Sequence, residues 1–406
     1  MTPPALVHTA PVGDSPANPR PDVAPKRLRA LSIGMSWFPE QAGNGLDRVY
    51  HALSQHLPEA GVDLTGLVAG SGRVVWESGG AVRAFAPDGA ALAGRLLAVR
   101  RAVGAVLTSE RPGVVAAHFA LYALPALSAL RSYPFVVHFH GPWADESAVE
   151  GASRASVAAK RSVERAVYRR ADRVVVLSEA FARVVVERYG VDPDRVRIVP
   201  GGVEAARFAS PLSRDEAREA LGWPLDRPVV LSVRRLARRM GLDALVEATD
   251  RLRHSVPDVL VVIAGKGPLA AELSALVAER GLEDHVRFAG FVPDDLLPAA
   301  YRAADVSVVP TSALEGFGLT TVESLAAGTP VLVTPQGGLP EVVAPLSPDL
   351  VCEGSTSDAL ADRLGAALTG AVRLPDSEAC RQYARTAFDW ATAAGRIADV
   401  YREVAP

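Results

Sequence analysis

The chain has 406 residues, 49% hydrophobic and 22% charged, with a formal net charge of −3. That length exceeds one ordinary core and predicts two domains, and the composition excludes a disordered or fibrous chain. The faintly acidic balance excludes a general nucleic-acid binder, whose surface would be clearly basic.

The first 25 residues hold seven prolines and no apolar run. They are read as a disordered tail, 1–25, because a secretory signal needs a continuous apolar stretch. No window reaches the roughly 18 uninterrupted apolar residues of a membrane span. The expected location is therefore the cytoplasm, with peripheral contact at the inner face of the membrane compatible with it. Cys352 and Cys380 are too few for a disulfide framework and lack metal-ligand spacing. Inert thiols in a reducing compartment are the expectation.

Short β-branched runs then alternate with amphipathic helical patterns, which predicts an α/β fold with parallel sheets. Leu28–Ile33 is the first strand, followed by a loop over Met35–Asn44 and a helix from Gly45 that faces inward with Leu46, Val49, Tyr50, Leu53 and Leu57. Further strands are expected at Val114–Ala117, Phe135–Phe139, Arg173–Leu177 and Val196–Val199, with helices at Ala91–Leu107 and Ser156–Arg170. Ala205–Asp226 carries prolines and charges and no strand run, which puts the boundary near Phe208. A second series opens at Pro228, with strands Val229–Val233, Leu260–Ala264, Val286–Ala289, Val306–Val309 and Val331–Thr334. Its helices are expected at Leu242–Arg253, Leu269–Arg280, Leu297–Ala303, Leu319–Ala327 and Leu339–Val343, and an amphipathic pattern at Phe388–Glu403 ends the chain.

The most informative stretch is Glu315-Gly316-Phe317-Gly318-Leu319-Thr320-Thr321-Val322-Glu323. Its carboxylates can accept hydrogen bonds from vicinal hydroxyls, and a glycine-opened helix N-terminus holds a diphosphate through free N–H groups. Upstream, Arg234, Arg235, Arg238 and Arg239 follow a strand end, and forked guanidinium groups suit phosphate oxygens. Ala264-Gly265-Lys266-Gly267-Pro268 is a second strand-to-helix loop open to close backbone approach, and Gly290-Phe291-Val292 a third. Phe291 reads equally as a base contact or as core.

The paired glutamates with their interior F-G-L resemble the donor-site signature of retaining GT-B glycosyltransferases of family 4, the glycosyl transferases group 1. The resemblance covers roughly residues 28 to 405. It implies a GT-B architecture of two Rossmann-like domains with parallel sheets facing across a cleft. The expected division is an acceptor-binding domain at 26–207, a nucleotide-sugar donor domain at 208–385, and a terminal helix, 386–406, crossing back to the first. Arg235 matches the arginine of the family element G-R-L-x-x-x-K-G, whose Arg and Lys neutralise the donor diphosphate. Arg234 stands at its glycine and Met240 at its lysine, so Arg239 is expected to supply the lost charge. Gly43 and Gly45 match the family glycine loop facing the diphosphate, with Asn44 interrupting the pair.

The resemblance further implies that Glu315 holds the hydroxyls of the sugar and Glu323 those of the ribose. Gly318 and Leu319 would present backbone N–H groups beside Phe317, while Gly265, Gly267 and Phe291 lie on the nucleotide side. His140, last before the turn of His138-Phe139-His140-Gly141-Pro142, matches the active-site histidine that contacts the transferred sugar. His118 ends another strand and could line the acceptor side. The implied reaction is retaining transfer from a nucleoside diphosphate sugar to a hydroxyl of a sugar, lipid-linked or small-molecule acceptor, with no other cofactor. No residue stands out as a covalent nucleophile. Asp192-Pro193-Asp194 reads as turn chemistry, so no metal is expected. The cations of Lys160–Arg170 read as a surface helix or as a face for anionic lipid. A GT-B epimerase, a phosphorylase and a silent sugar-nucleotide-binding protein are the competing readings.

Overall fold

A computed structural model describes residues 27–41 and 45–406. It contains two parallel sheets. The first has seven strands in the order β3-β2-β1-β4-β5-β6-β7. These are β1 (Leu28–Ile33), β2 (Val62–Ala69), β3 (Val82–Ala86), β4 (Val114–Ala117), β5 (Phe135–Phe139), β6 (Arg173–Val176) and β7 (Val196–Ile198). The second, in the order β10-β9-β8-β11-β12, comprises β8 (Val229–Val233), β9 (Leu260–Ala264), β10 (Val286–Gly290), β11 (Val306–Val309) and β12 (Val331–Val333). In each sheet the strand order reverses once, between β1 and β4 and between β8 and β11. Open α/β sheets bind ligands at such points, beyond the strands' carboxyl ends.

Expected strands and found strands agree to within a residue at each end, but β2 and β3 were missed. Asp63, Thr65 and Gly66 break the apolar run of β2. Only one residue of edge strand β3, Val82, is fully buried, so it lacks a period-2 signature. Elsewhere the alternation is clean. Leu31, Ile33, Val115, Ala117, Val137 and Val174 face one layer of helices. Ala30, Val114, Ala116, Val136 and Val175 face the other.

That second layer is completed from the far end of the chain. Helix Trp390–Val404 presents Trp390, Ala394, Ile397 and Tyr401 as one stripe onto the first sheet, beside Val49, Leu53 and Leu57. Asp389 caps it by accepting from Thr392 N at 3.0 Å. The two crossings between the halves run together: Val203 N donates to Phe388 O at 2.8 Å. Phe208 is 2% exposed and belongs to the second core, with its ring 6.0 Å from that of Tyr301.

The halves touch through charged pairs. Arg48 on helix Gly45–His56 forms a two-pronged bond to Asp294 at 3.0 and 2.5 Å. Glu341 accepts from the backbone N–H groups of Glu179 at 2.7 Å and Ala180 at 2.9 Å, capping helix Glu179–Tyr189 from the opposite half. In the basic helix Arg154–Tyr168, Lys160 donates to Ser147 Oγ at 2.6 Å and Arg161 to Asp145 at 2.5 Å. Asp192 Oδ1 accepts from Asp194 N at 3.0 Å, closing a local turn. Both cysteines are buried and unpaired, with burial pushing each thiol up to about 12. Among the described residues no helix is long and apolar enough to cross a membrane.

Candidate active site

Both switch points open onto the same cleft. On the second half, β8 runs into Arg234 and Arg235, and β11 into the segment that ends at Glu315. The loops after β8 and β9 lie edge to edge: Arg234 N donates to Ala264 O at 2.9 Å and Leu236 N to Lys266 O at 3.0 Å. Gly265 and Gly267 permit this approach, because a Cβ would fall 1.9 Å from Arg234 O and 2.2 Å from Leu236 O. Phe291 is 46% exposed and therefore not core, with Lys266 Nζ 5.7 Å from its ring centroid.

Glu315 is held from three sides. Its carboxylate receives the Arg234 guanidinium, Thr311 Oγ1 lies 3.5 Å from its Oε2, and its carbonyl accepts from Gly338 N at 3.0 Å. The preceding Leu314 adopts φ 57°, a strained left-handed conformation for a branched side chain, and Arg239 Nη1 donates to its carbonyl at 3.1 Å. Burial pushes the Glu315 carboxyl up, but Arg234 first and Arg239 after it hold it below the usual carboxylate range. Arg234 also donates to Thr311 Oγ1 at 2.6 Å.

Gly318, at φ 78°, starts helix Leu319–Ala326. On the facing half, Gly45 starts its own helix, and a Cβ there would lie 3.6 Å from Leu319 Cδ1. Two helix N-termini thus meet across the cleft, where the positive ends of their dipoles favour an anion. Gly43 and Asn44 lie outside the described residues. Glu323 sits one helix face further in and accepts from Tyr301 Oη at 3.0 Å. Burial raises it, and the charge of Arg48 is the largest opposing influence. The Phe317 ring is taken up by the core, 5.5 Å from that of Phe388.

The arginine cluster divides by role. Met240 is 6% exposed and lies in the second core. Arg239 reaches across the cleft to Glu146 Oε1 at 3.2 Å. Arg235 is exposed, and its guanidinium makes no hydrogen bond or ion pair to a described residue; partial desolvation and the charge of Arg239 hold it below the ordinary value. An unpaired cation pressed against another is a site that an anion would stabilise. Sequence reasoning placed Arg234 in a phosphate-binding run, at the family's glycine position, and did not foresee its pairing with Glu315. It said nothing of Glu146, which matters only through its tertiary placement against Arg239.

From the first half, His140 Nε2 lies 3.0 Å from His118 Nδ1, one donating to the other. His118 stacks on His138 with centroids 4.1 Å apart, and His138 Nε2 lies 2.8 Å from Tyr401 Oη on the terminal helix. Burial pushes His140 down to about 4 and His138 to about 3, so these rings are neutral near pH 7. The turn after His140 carries Glu146 back to Arg239: a Cβ on Gly141 would lie 2.6 Å from Glu146 Oε1.

Sequence profiles of two families divide the chain at the same place. Residues 43–207 match Glycosyltransferase Family 4, and residues 213–387 match Glycosyl transferases group 1. The chain belongs to the GT-B glycosyl transferases of group 1. Solved GT-B structures cover nearly all of this group 1 chain. Sucrose-phosphate synthase from Thermosynechococcus elongatus covers 93% of it and is itself covered over 99%, with TM-score 0.74 and 22% identity. HepE of Anabaena, in complex with UDP-glucose, covers 93% and is covered over 100%, with TM-score 0.75 and 20% identity. Curated relatives include a D-inositol 3-phosphate glycosyltransferase of Acidothermus cellulolyticus, 37% identical over 57% of this chain and 53% of its own length. A GDP-mannose-dependent alpha-(1-6)-phosphatidylinositol monomannoside mannosyltransferase of Mycolicibacterium smegmatis is 34% identical over 50% of this chain and 55% of its own. The chain thus spans a little over half the length of these relatives.

Proposed function

We propose that this group 1 protein transfers a sugar from a nucleoside diphosphate sugar to an acceptor hydroxyl, with retention of anomeric configuration. The observation that carries the reading is the meeting of both sheets' switch points on one cleft that holds Glu315, Glu323 and an unpaired Arg235. Arg235 and Arg239 stabilise the charge that builds on the leaving diphosphate, the role a divalent ion plays elsewhere. Helix N–H groups at Gly318 and Leu319 add to them. Glu315 orients the sugar and Glu323 accepts from the ribose hydroxyls. His140, neutral at pH 7, accepts from or donates to the sugar from the facing half. The acceptor approaches on the leaving-group face, and a diphosphate oxygen takes its proton. Closure of the halves excludes water and limits donor hydrolysis.

The relatives named for inositol phosphate and phosphatidylinositol mannoside support a polyol or sugar hydroxyl, free or lipid-borne, as acceptor. A lipid-borne acceptor would keep the protein at the inner face of the membrane, and a free one would leave it in the cytoplasm. Melting the protein with UDP-, GDP-, ADP- and dTDP-sugars tests the donor. A matched donor at 100 times its Kd adds about 2.7 kcal/mol of stability, and the released product's anomeric signal by NMR reads retention. No shift with any donor would overturn the proposal. The buried Met240 where the family carries lysine favours one second reading, a silent sugar-nucleotide binder. It would show the shift without releasing diphosphate on adding acceptor.

A further inference from the structure

We propose that Arg234 is a specificity-determining residue for the donor sugar, so that the transferred sugar is read by a guanidinium and a carboxylate together, not by Glu315 alone. The inference rests on the transferase reading above and concerns the same cleft. Three observations carry it. The Arg234 side chain is only 7% exposed, against 15% for Glu315, so the pair lies at the base of the cleft. Its terminal nitrogens are committed to Glu315 Oε2, to Thr311 Oγ1 at 2.6 Å and, more loosely, to Thr320 Oγ1 at 3.4 Å, which fixes the guanidinium plane. Its Nε–H is buried without a hydrogen-bond partner among the described residues, an unmet donor beside the carboxylate. A buried charged donor left unsatisfied is costly and calls for an acceptor.

A sugar hydroxyl both accepts and donates, so one hydroxyl can bridge the pair: it accepts from Arg234 while donating to Glu315. The family lysine position supplies nothing here, because Met240 lies in the core. Arg234 stands at the glycine position of the same element, and its guanidinium faces Glu315. Arg234 thereby governs the charge state of Glu315 as well. The groups facing that carboxyl are Arg234 after β8, Arg239 from the adjoining turn, Thr311 after β11 and, from the other half, the like charge of Glu146. Without Arg234, burial dominates and Glu315 becomes protonated toward neutral pH.

The experiment compares the native chain with Arg234→Met and Arg234→Lys. UDP, GDP, ADP and dTDP and their sugar conjugates are titrated by calorimetry, and diphosphate release is followed from pH 5 to 9. Arg234→Met is expected to keep its affinity for the free nucleoside diphosphate within about threefold and to lose about 100-fold in donor turnover. Its rate should climb with pH as Glu315 ionises, whereas the native profile stays flat over that range. Arg234→Lys should recover part of the rate and the flat profile. If Arg234→Met fails to fold, Arg234→Lys carries the test through a selective weakening of donor over diphosphate. Equal weakening of both ligands, or variants with native turnover and pH profile, overturns the inference and leaves the transferase reading standing. A native chain that binds no sugar nucleotide removes both.

Discussion

Among single residues the histidines separate structure from chemistry. His138 is buried between the first sheet and Tyr401, and burial holds its imidazole near 3. Its folded pKa lies below the unfolded value near 6.5, so the unfolded chain binds the extra proton between those limits. His138 therefore costs stability as pH falls from about 6.5, by about 1.4 kcal/mol per pH unit. Asp47 and Glu164, raised by burial to about 6 and about 7, pull the opposite way. The clean readout is a difference: the melting gap between native protein and His138→Phe should shrink from pH 6.5 to pH 5. Glu315→Gln should lower transfer at least about 100-fold while nucleoside diphosphate binding persists, measured by titration. The glutamate pair and His140 were named through their resemblance to the family motifs, which needs only residue type and position. The roles of Arg234, Glu146 and the strained Leu314 were not legible, since each is acquired only when loops distant in sequence come together.

At the scale of elements, the loops hold the chemistry more tightly than the helices do. The turn after β12 passes directly behind Glu315, and a Cβ on Gly337 would lie 1.8 Å from its carbonyl oxygen. Gly337→Ala should therefore displace the backbone at Glu315 and destabilise the protein by about 1–3 kcal/mol. Transfer should fall further than diphosphate binding, and comparing the two assays checks this. Most strands were readable from β-branched runs because sheets covered on both faces bury nearly every residue. β2 escaped because Asp63, Thr65 and Gly66 interrupt its apolar run, and β3 because its edge position leaves only Val82 buried. The interlobe cap from Glu341 was equally hidden, since the acceptor of those N–H groups lies 162 residues away in sequence.

For the whole molecule, the relation between halves rests on a few charged contacts, on apolar contacts such as Phe181 against Gly316 and Leu319 against the first core, and on the paired crossings at Val203 and Phe388. Arg48 and Asp294 are partly buried, at 19% and 28% exposure. Arg48→Ala should leave each half folded but widen the cleft, raising the radius of gyration in solution scattering. It should also weaken donor affinity about tenfold. An unchanged scattering profile would show that the remaining contacts and the crossings set the angle without Arg48.

The stripe of Trp390, Ala394, Ile397 and Tyr401 also decides how this gene product can be cut. A piece ending before Asp389 would lay bare the apolar back of the first sheet and should precipitate on expression. Supplying residues 386–406 in trans as a synthetic peptide should restore solubility. During synthesis the earlier sheet must then wait, one face only partly covered by helix Gly45–His56, until the ribosome has released Trp390–Val404.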